Sequence, residues 1–535
     1  MKETKILTLV EMLVVAALLL TRSTSADIVN VPGDSSSIQA ATDTARDGDE
    51  IIVVPGTHFE NINLLGKAVT LRSSAGLGAT QARGQWEQTH KLIADDNDAG
   101  DIFGQSVSID GNLMVIGAQL DDDAGTQSGS AYVYRLDGSN WIEEAKLTAS
   151  DGAPEDSFGV AVSVSGNVIV VGAAGDDEGE SGSGSAYVFR FDGTQWIEEA
   201  KLTAFDPTWH GSFGGSISVC GDAALIGAPG HVFSDNLNGA AYVYRFDPDT
   251  SEWIEEAKLT ASDGAVLDRF GRAVTLSGDV AAIGAQKDDD ACPENPDCNS
   301  GSAYVYRFDG TEWQEDAKLT APDADAEDFF GGHGIDMRGD IIVVGSAGDD
   351  DGGDGSGSAY VFRFDGVAWN DEAKLTASDA AAWDEFGHSV AVGEDVIIIG
   401  SRNGDAFARE EPVVNSGAAY VYRFDGLDWI EETKLCAADP EMGDGFGRSI
   451  SITGNLVVIG AYHDDDACPE TPWCDSGSAY VFAQSDPCAD EDGDGRVTIC
   501  HIPPGNPDNA HTIAVRVNAV PAHLAHGDYC GPCQE

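Results

Sequence analysis

Basic residues are what this sequence most conspicuously lacks: 29 Lys and Arg stand against 92 Asp and Glu in 535 residues, a formal net charge of −63. A field of that sign excludes recognition of nucleic acid or of an anionic membrane by charge, and suits cations, basic partners or a solvated coat for a salty habitat. Long apolar runs are also missing; the one near the N-terminus ends at Leu20 and is short for a membrane span, so none is expected in the mature chain. No motif groups a nucleophile, a base and an orienting residue, which argues against an enzyme. Apolar residues nevertheless make up 42% of the chain, enough for a buried core and too many for disorder.

Residues 1–26, MKETKILTLVEMLVVAALLLTRSTSA, pass from lysines through an apolar stretch to small residues, the order of a secretory signal peptide. Glu11 gives TLVEMLVV a similarity to the start of type IV pilin-like proteins, although Ile6 stands where those carry glycine. Either way export is expected, to a secreted, extracellular or cell-surface location. Ten cysteines agree with an oxidising compartment. In DDDACPENPDCNSGSAY and DDDACPETPWCDSGSAY, Cys292 with Cys298 and Cys468 with Cys474 are expected to form local disulfides that pinch equivalent loops. The pairing of Cys220, Cys436, Cys488, Cys500, Cys530 and Cys533 stays open.

One unit recurs seven times. Phe-Gly appears at Phe103, Phe158, Phe213, Phe270, Phe330, Phe386 and Phe446, 55 to 60 residues apart. Each is followed by an alternating segment such as AVSVSG, an apolar run such as NVIVVGA, then SGSAYVFRFDG and WIEEAKLTA. Period two marks the first as a half-buried strand, and the apolar run marks the second as covered on both faces. Turn residues separate them, Ser165-Gly166-Asn167 and Asp192-Gly193 in one unit. Four short antiparallel strands repeated seven times predict an all-β fold, a seven-bladed β-propeller over residues 84–482. The last unit lacks its WIEEAKL strand, and an unattached GQWEQTHKLIA stands before the first; the N-terminal strand from Trp86 to Leu92 is expected to complete the last blade and close the ring.

The Phe-Gly followed by Gly-Ala, or by Gly227-Ala228-Pro229, resembles the FG-GAP repeat of integrin α-subunit propellers and of many secreted bacterial proteins. That resemblance implies a binding or adhesive propeller. Integrin-type repeats often place a D-x-D-x-D-G calcium loop between the first two strands; here the slot holds only DGN, SGN, CGD, SGD, RGD, GED and TGN, so those ligands do not carry over. Arg338-Gly339-Asp340, which resembles an adhesion tripeptide, occupies that same slot and reads as a hairpin turn.

The long connections share the opposite face and are acidic. Candidate cation ligands are Asp121, Asp122 and Asp123; Asp176 and Asp177, followed by Glu178; Asp288, Asp289 and Asp290; Asp349, Asp350 and Asp351; and Asp464, Asp465 and Asp466. Calcium takes six to eight oxygens and such loops could supply several, but adjacent aspartates point in different directions, so solvated turns remain the alternative. Lys146, Lys201, Lys258, Lys318 and Lys374, with Arg190, Arg307 and Arg363, read as cross-strand ion pairs near the fourth-strand glutamates, and the recurrent tryptophans as packing.

Residues 27–83 contain SIQAATDTARDGDEIIVVPGTHFENI, which resembles the capping helix and first coil of a pectin-lyase-type β-helix; a single coil offers no lyase cleft. Residues 483–535 form a Cys/His-rich tail. Asp490, Asp492 and Asp494 match half of an EF-hand loop, with His501 where its glutamate belongs. His523, His526, Cys530 and Cys533 have zinc-like spacing, against two disulfides among Cys488, Cys500, Cys530 and Cys533. The expectation is a secreted or cell-surface, non-enzymatic, monomeric binding or adhesion protein whose acidic loops face an extracellular protein, a polysaccharide, a surface or calcium. The alternatives are a calcium-supported hydrolase or lyase and a purely structural envelope or matrix component.

Overall fold

The computed structural model describes residues 28–31, 50–53, 70–73, 85–230, 238–290, 298–408, 411–467, 474–485, 496–501, 511–516, 519–520, 523 and 529–530. Trp86–Gln484 forms one compact unit, and Met1–Gln85 with Ser485–Glu535 a second.

In the larger unit the repeats become seven four-stranded antiparallel sheets. The second blade shows the pattern in Phe158–Ser165, Val168–Ala173, Ser185–Phe191 and Trp196–Leu202, with Ile169 opposite Val164 on one side and Phe189 on the other. Its second strand is buried at every position, as the unbroken apolar run requires. The last blade combines Phe446–Thr453, Leu456–Ala461 and Ser478–Gln484 with Trp86–Leu92, the latter antiparallel with Leu92 opposite Ala479 and Trp86 opposite Gln484.

Adjacent blades share their cores. Leu113, Val115 and Val133 of the first pack against Val162, Ile169, Tyr187 and Phe189 of the second. Each repeat phenylalanine is a pivot: Phe158, 1% exposed, lies edge-on to Tyr187 and bridges to Gly129 of the preceding blade. Burying such a ring contributes roughly 1.5–3 kcal/mol. The glycine that follows it is dictated by space. Gly159 has φ of +91°, and a Cβ there would lie 2.2 Å from the Ser130 carbonyl oxygen. The same bridge joins Phe103 to Gly477, so the first and last blades are coupled as the others are.

A bulge between the third and fourth strands shifts register in every blade. In six blades it turns out an acid that meets the arginine of the third strand: Arg190 Nε donates to Glu199 Oε1 at 2.8 Å, and Arg423 Nε to Glu432 Oε2 at 2.6 Å. The arginine also stacks on the next blade, Arg190 lying 4.5 Å from the Phe246 ring centroid, while Trp253 Nε1 donates to Glu199 Oε2 at 2.9 Å. In the last blade the arginine position is Ala483 and the bulged residue is Thr89; acid and base are absent together.

In the smaller unit, Ile28–Val31, Glu50–Val53 and Thr70–Ser73 pair in parallel, while the expected capping helix, in the segment that begins at Ser37, lies outside the described residues. Arg496–His501 pairs with His511–Arg516 and with Tyr529–Cys530, over a small core of Val497, Ile499 and Val520. Among the described residues no helix is long and apolar enough to cross a membrane.

Candidate functional site

Antiparallel order brings two loops together at one end of each blade: the loop from second to third strand, and the one entering the blade from its predecessor. Their acids converge on the fourth-strand lysine. Lys146 Nζ lies 2.8 Å from Asp96, 2.8 Å from Asp121 and 2.6 Å from Asp123. Lys201 meets Asp151, Asp176 and Glu178 at 2.7, 2.9 and 3.1 Å, and Lys374 meets Asp323, Asp349 and Asp351 at 2.8, 2.8 and 2.6 Å. Lys318 is held by Asp263, Asp288 and Asp290, and Lys91 on the N-terminal strand by Asp439, Asp464 and Asp466. In the other two blades Lys258 holds Asp206 and Lys434 holds Asp379. These lysines therefore bind loop aspartates and not the strand glutamates expected from sequence.

The three acids of each run do different things. The first is buried, Asp121 being 2% exposed, and accepts the Tyr132 hydroxyl at 2.8 Å, which is also 2.9 Å from Asp96. Tyr187, Tyr304, Tyr360 and Tyr480 repeat that bridge. The second braces the loop: Asp289 Oδ1 accepts the Asn299 amide at 2.6 Å and Asp465 Oδ1 that of Asp475 at 2.8 Å. The third reaches the lysine. Burial alone would lower Lys146, but the hydrogen bonds it donates to Asp121, Asp123 and Asp96 outweigh it and raise its pKa.

Asp263, Asp288 and Asp290, and likewise Asp323, Asp349 and Asp351, lie close enough together to hold a metal ion. In both groups, however, the oxygens already converge on an ammonium, Lys318 or Lys374, and the buried acid already accepts a tyrosine hydroxyl. With that ammonium in place the carboxylates do not fit a calcium ion. Asp490, Asp492 and Asp494 lie outside the described residues, as do Cys292, Cys468, His526 and Cys533. Cys298, Cys474 and Cys500 are disulfide-bonded, and Cys220 is a free thiol.

The loops entering the blades are stiff. In six of the seven, a buried aspartate two residues before the repeat phenylalanine accepts the amide three residues earlier, as from Ala153 to Asp156 and Asp98 to Asp101, both at 2.7 Å, and Glu441 to Asp444 at 2.6 Å; the third blade has Gly211 at that position. Burial drives these carboxyls up, Asp101, Asp268 and Asp328 to about 6 and Asp444 to about 8. The residues on either side adopt left-handed backbone, including Leu267 at φ of 79° and Trp383 at 72°. The loops present apolar tips to solvent: Trp209, Leu267, Trp383 and Met442 are each 44% exposed or more.

The turn face is different. Gly339 has φ of 62°, matching 59° at Gly166 and Gly278; Arg338 pairs with exposed Glu394 at 3.3 Å, and Asp340 with Arg363 at 3.4 Å.

The FG-GAP repeat model matches residues 86–134, 141–189, 196–244, 253–306, 313–362, 369–422 and 429–482, well over half of the chain. The chain belongs to the FG-GAP repeat family. FG-GAP propellers are commonly binding or structural units. Among solved structures the fold is similar to that of Saccharomyces cerevisiae Sqt1, with 10% identity, a TM-score of 0.39, and coverage of 70% of this chain and 82% of the other. No curated protein matches the sequence. Sequence reasoning located the acidic loops of this FG-GAP propeller but missed the lysines inside them and the apolar tips. The tips recur three or four residues before Phe-Gly in four of seven repeats, a signal available from aligning the units.

Proposed function

We propose that this FG-GAP propeller is an exported, non-enzymatic binding protein, and that the loops entering its blades are the binding face. The observation that carries this reading is the set of apolar tips, Trp209, Leu267, Trp383 and Met442, held out on loops with left-handed backbone among acids, the last three of those loops braced by a buried aspartate. Exposed aromatic and Met side chains on a pre-ordered surface lose little entropy on association, and a surrounding acidic field selects a partner with a basic rim. An extracellular protein fits better than an acidic polysaccharide, which the net charge repels. The lysine cages serve to stiffen this face.

The test is capture of extracellular proteins and polymers on immobilised full-length protein. The expected outcome is a basic protein retained at low salt and lost with Trp209→Ala/Trp383→Ala. Retention by that double variant, or selective capture of an anionic polymer, would overturn the reading.

A further inference from the structure

The first strands line the central channel, whose long-loop end holds a cluster opposite in sign to the rest of the molecule. Arg272 and Arg448 follow the Phe-Gly of their repeats, His388 does likewise, and His333 stands one residue further on. With Gln105 and Gln119 they bound a cavity of about 380 Å³. Both guanidiniums lie deep in the molecule yet keep part of their surface open to the channel.

Their partners are neutral. Arg272 Nη2 lies 3.2 Å from His333 Nδ1; Arg448 Nη1 meets His388 Nε2, and its Nε donates to Gln105 Oε1 at 3.3 Å. The two imidazoles stack with centroids 4.5 Å apart, and burial pushes both down, His388 to about 3, so neither is charged at neutral pH. Glu385, the acid beside them, is engaged by Arg402 at 2.6 Å and lies 3.4 Å from His388 Nδ1. Arg272 Nε has no partner, and neither Arg272 nor Arg448 forms an ion pair among the described residues. Burial together with neighbouring arginines lowers both to about 10.

The arginines of the blade edges are, by contrast, fitted with bulged acids. In a chain with 92 acids, two guanidiniums lining one open cavity with no carboxylate paired to either have donors to spare for a ligand. Planar guanidinium forks match oxyanions bidentately. The cavity volume is at the lower end of ligand sites, and the acidic loops repel a polyanion from the mouth. We propose that the long-loop end of the channel binds a small oxyanion, a carboxylate or a phosphate or sulfate group, between Arg272 and Arg448. This site is separate from the loop tips proposed above.

Full-length protein in chloride buffer is titrated at constant ionic strength with acetate, D-glucuronate, inorganic phosphate and sulfate, followed by calorimetry and thermal melting. One saturable site is expected, with a rise in Tm of several degrees at saturation; the anion that saturates lowest distinguishes a carboxylate ligand from a phosphate or sulfate. Arg272→Lys keeps the charge but loses the fork and should weaken binding about tenfold. Arg272→Gln/Arg448→Gln should abolish it while melting, without anion, at or above the wild-type temperature, since mutual repulsion is removed. Trp209→Ala/Trp383→Ala should leave it unchanged, which separates failure here from failure of the loop-face reading. No saturable response to any of the four anions, or an equal response from the double Gln variant, would overturn the proposal.

Discussion

Lys91, near the N-terminal end of the propeller, lies 2.9 Å from Asp464 in the last blade, a residue 4% exposed at its side chain. Asp439 and Asp466 bind the same ammonium, and Tyr480 places its ring 5.0 Å below it. The strand that supplies Lys91 is thus held by charge as well as by its backbone ladder.

Replacing Lys91 with Met leaves buried Asp464 without its cation. Removing one partner of a buried pair is costly, and allowing for the two exposed aspartates the loss should be about 2–3 kcal/mol. Lys258→Met removes, among the described residues, one pair with a 40% exposed Asp206 and should cost under about 1 kcal/mol. Urea midpoints compare the two; equal losses would contradict the cage.

Calcium should act on these loops only once a lysine is gone. Lys318→Met leaves Asp263, Asp288 and Asp290 facing one another, and its melting temperature should rise with millimolar calcium and fall with chelator. The wild-type propeller transition should shift by less than about 1 °C under the same change. A large wild-type shift that the substitution abolishes would show that calcium, and not lysine, holds the loops.

Stability should depend on pH in two opposing ways. Burial raises Asp444 to about 8, so its contribution is complete below its unfolded value near 3.8 and is lost as pH climbs through 8. Asp444→Asn keeps an acceptor for the Glu441 amide, and should match wild type near pH 4 and exceed it at pH 9 by on the order of 2 kcal/mol. Asp96, Asp151 and Asp323 are nearly half exposed; their partial desolvation would raise them, but hydrogen bonds from lysine and tyrosine outweigh it and hold them below 3.8, so their contribution is present above that value and lost below it. Denaturation curves from pH 3 to 9 should therefore show greatest stability on the acid side of neutrality. A maximum at pH 9 in the wild type would refute the assignment.

Arg338→Ser, the residue of two sister turns, should change stability by less than about 0.5 kcal/mol, because its only pair among the described residues is with an 86% exposed Glu394. Cell attachment, if the protein supports any, should not fall; loss of attachment would make the tripeptide a ligand.

The seven repeats, their strands and their turns were legible in the sequence because each depends on neighbours in the chain. Period-two alternation, an apolar run and a glycine with positive φ act within a few residues, and repetition multiplies the signal. The same locality explains why Ser165-Gly166-Asn167 disclosed the meaning of Arg338-Gly339-Asp340. The acidic runs were legible as acids and opaque as chemistry. Asp288, Asp289 and Asp290 differ in role because the loop turns one inward to Tyr304, one onto the Asn299 amide and one toward Lys318, and the third carboxylate on that lysine, Asp263, arrives from the loop before the blade. The channel cluster was equally hidden: Arg272 and Arg448 are 176 positions apart and meet only because the ring closes. Which residues form strands follows from local sterics and hydrophobic period; which charges face each other follows from register, bulges and closure, and only the tertiary structure decides those.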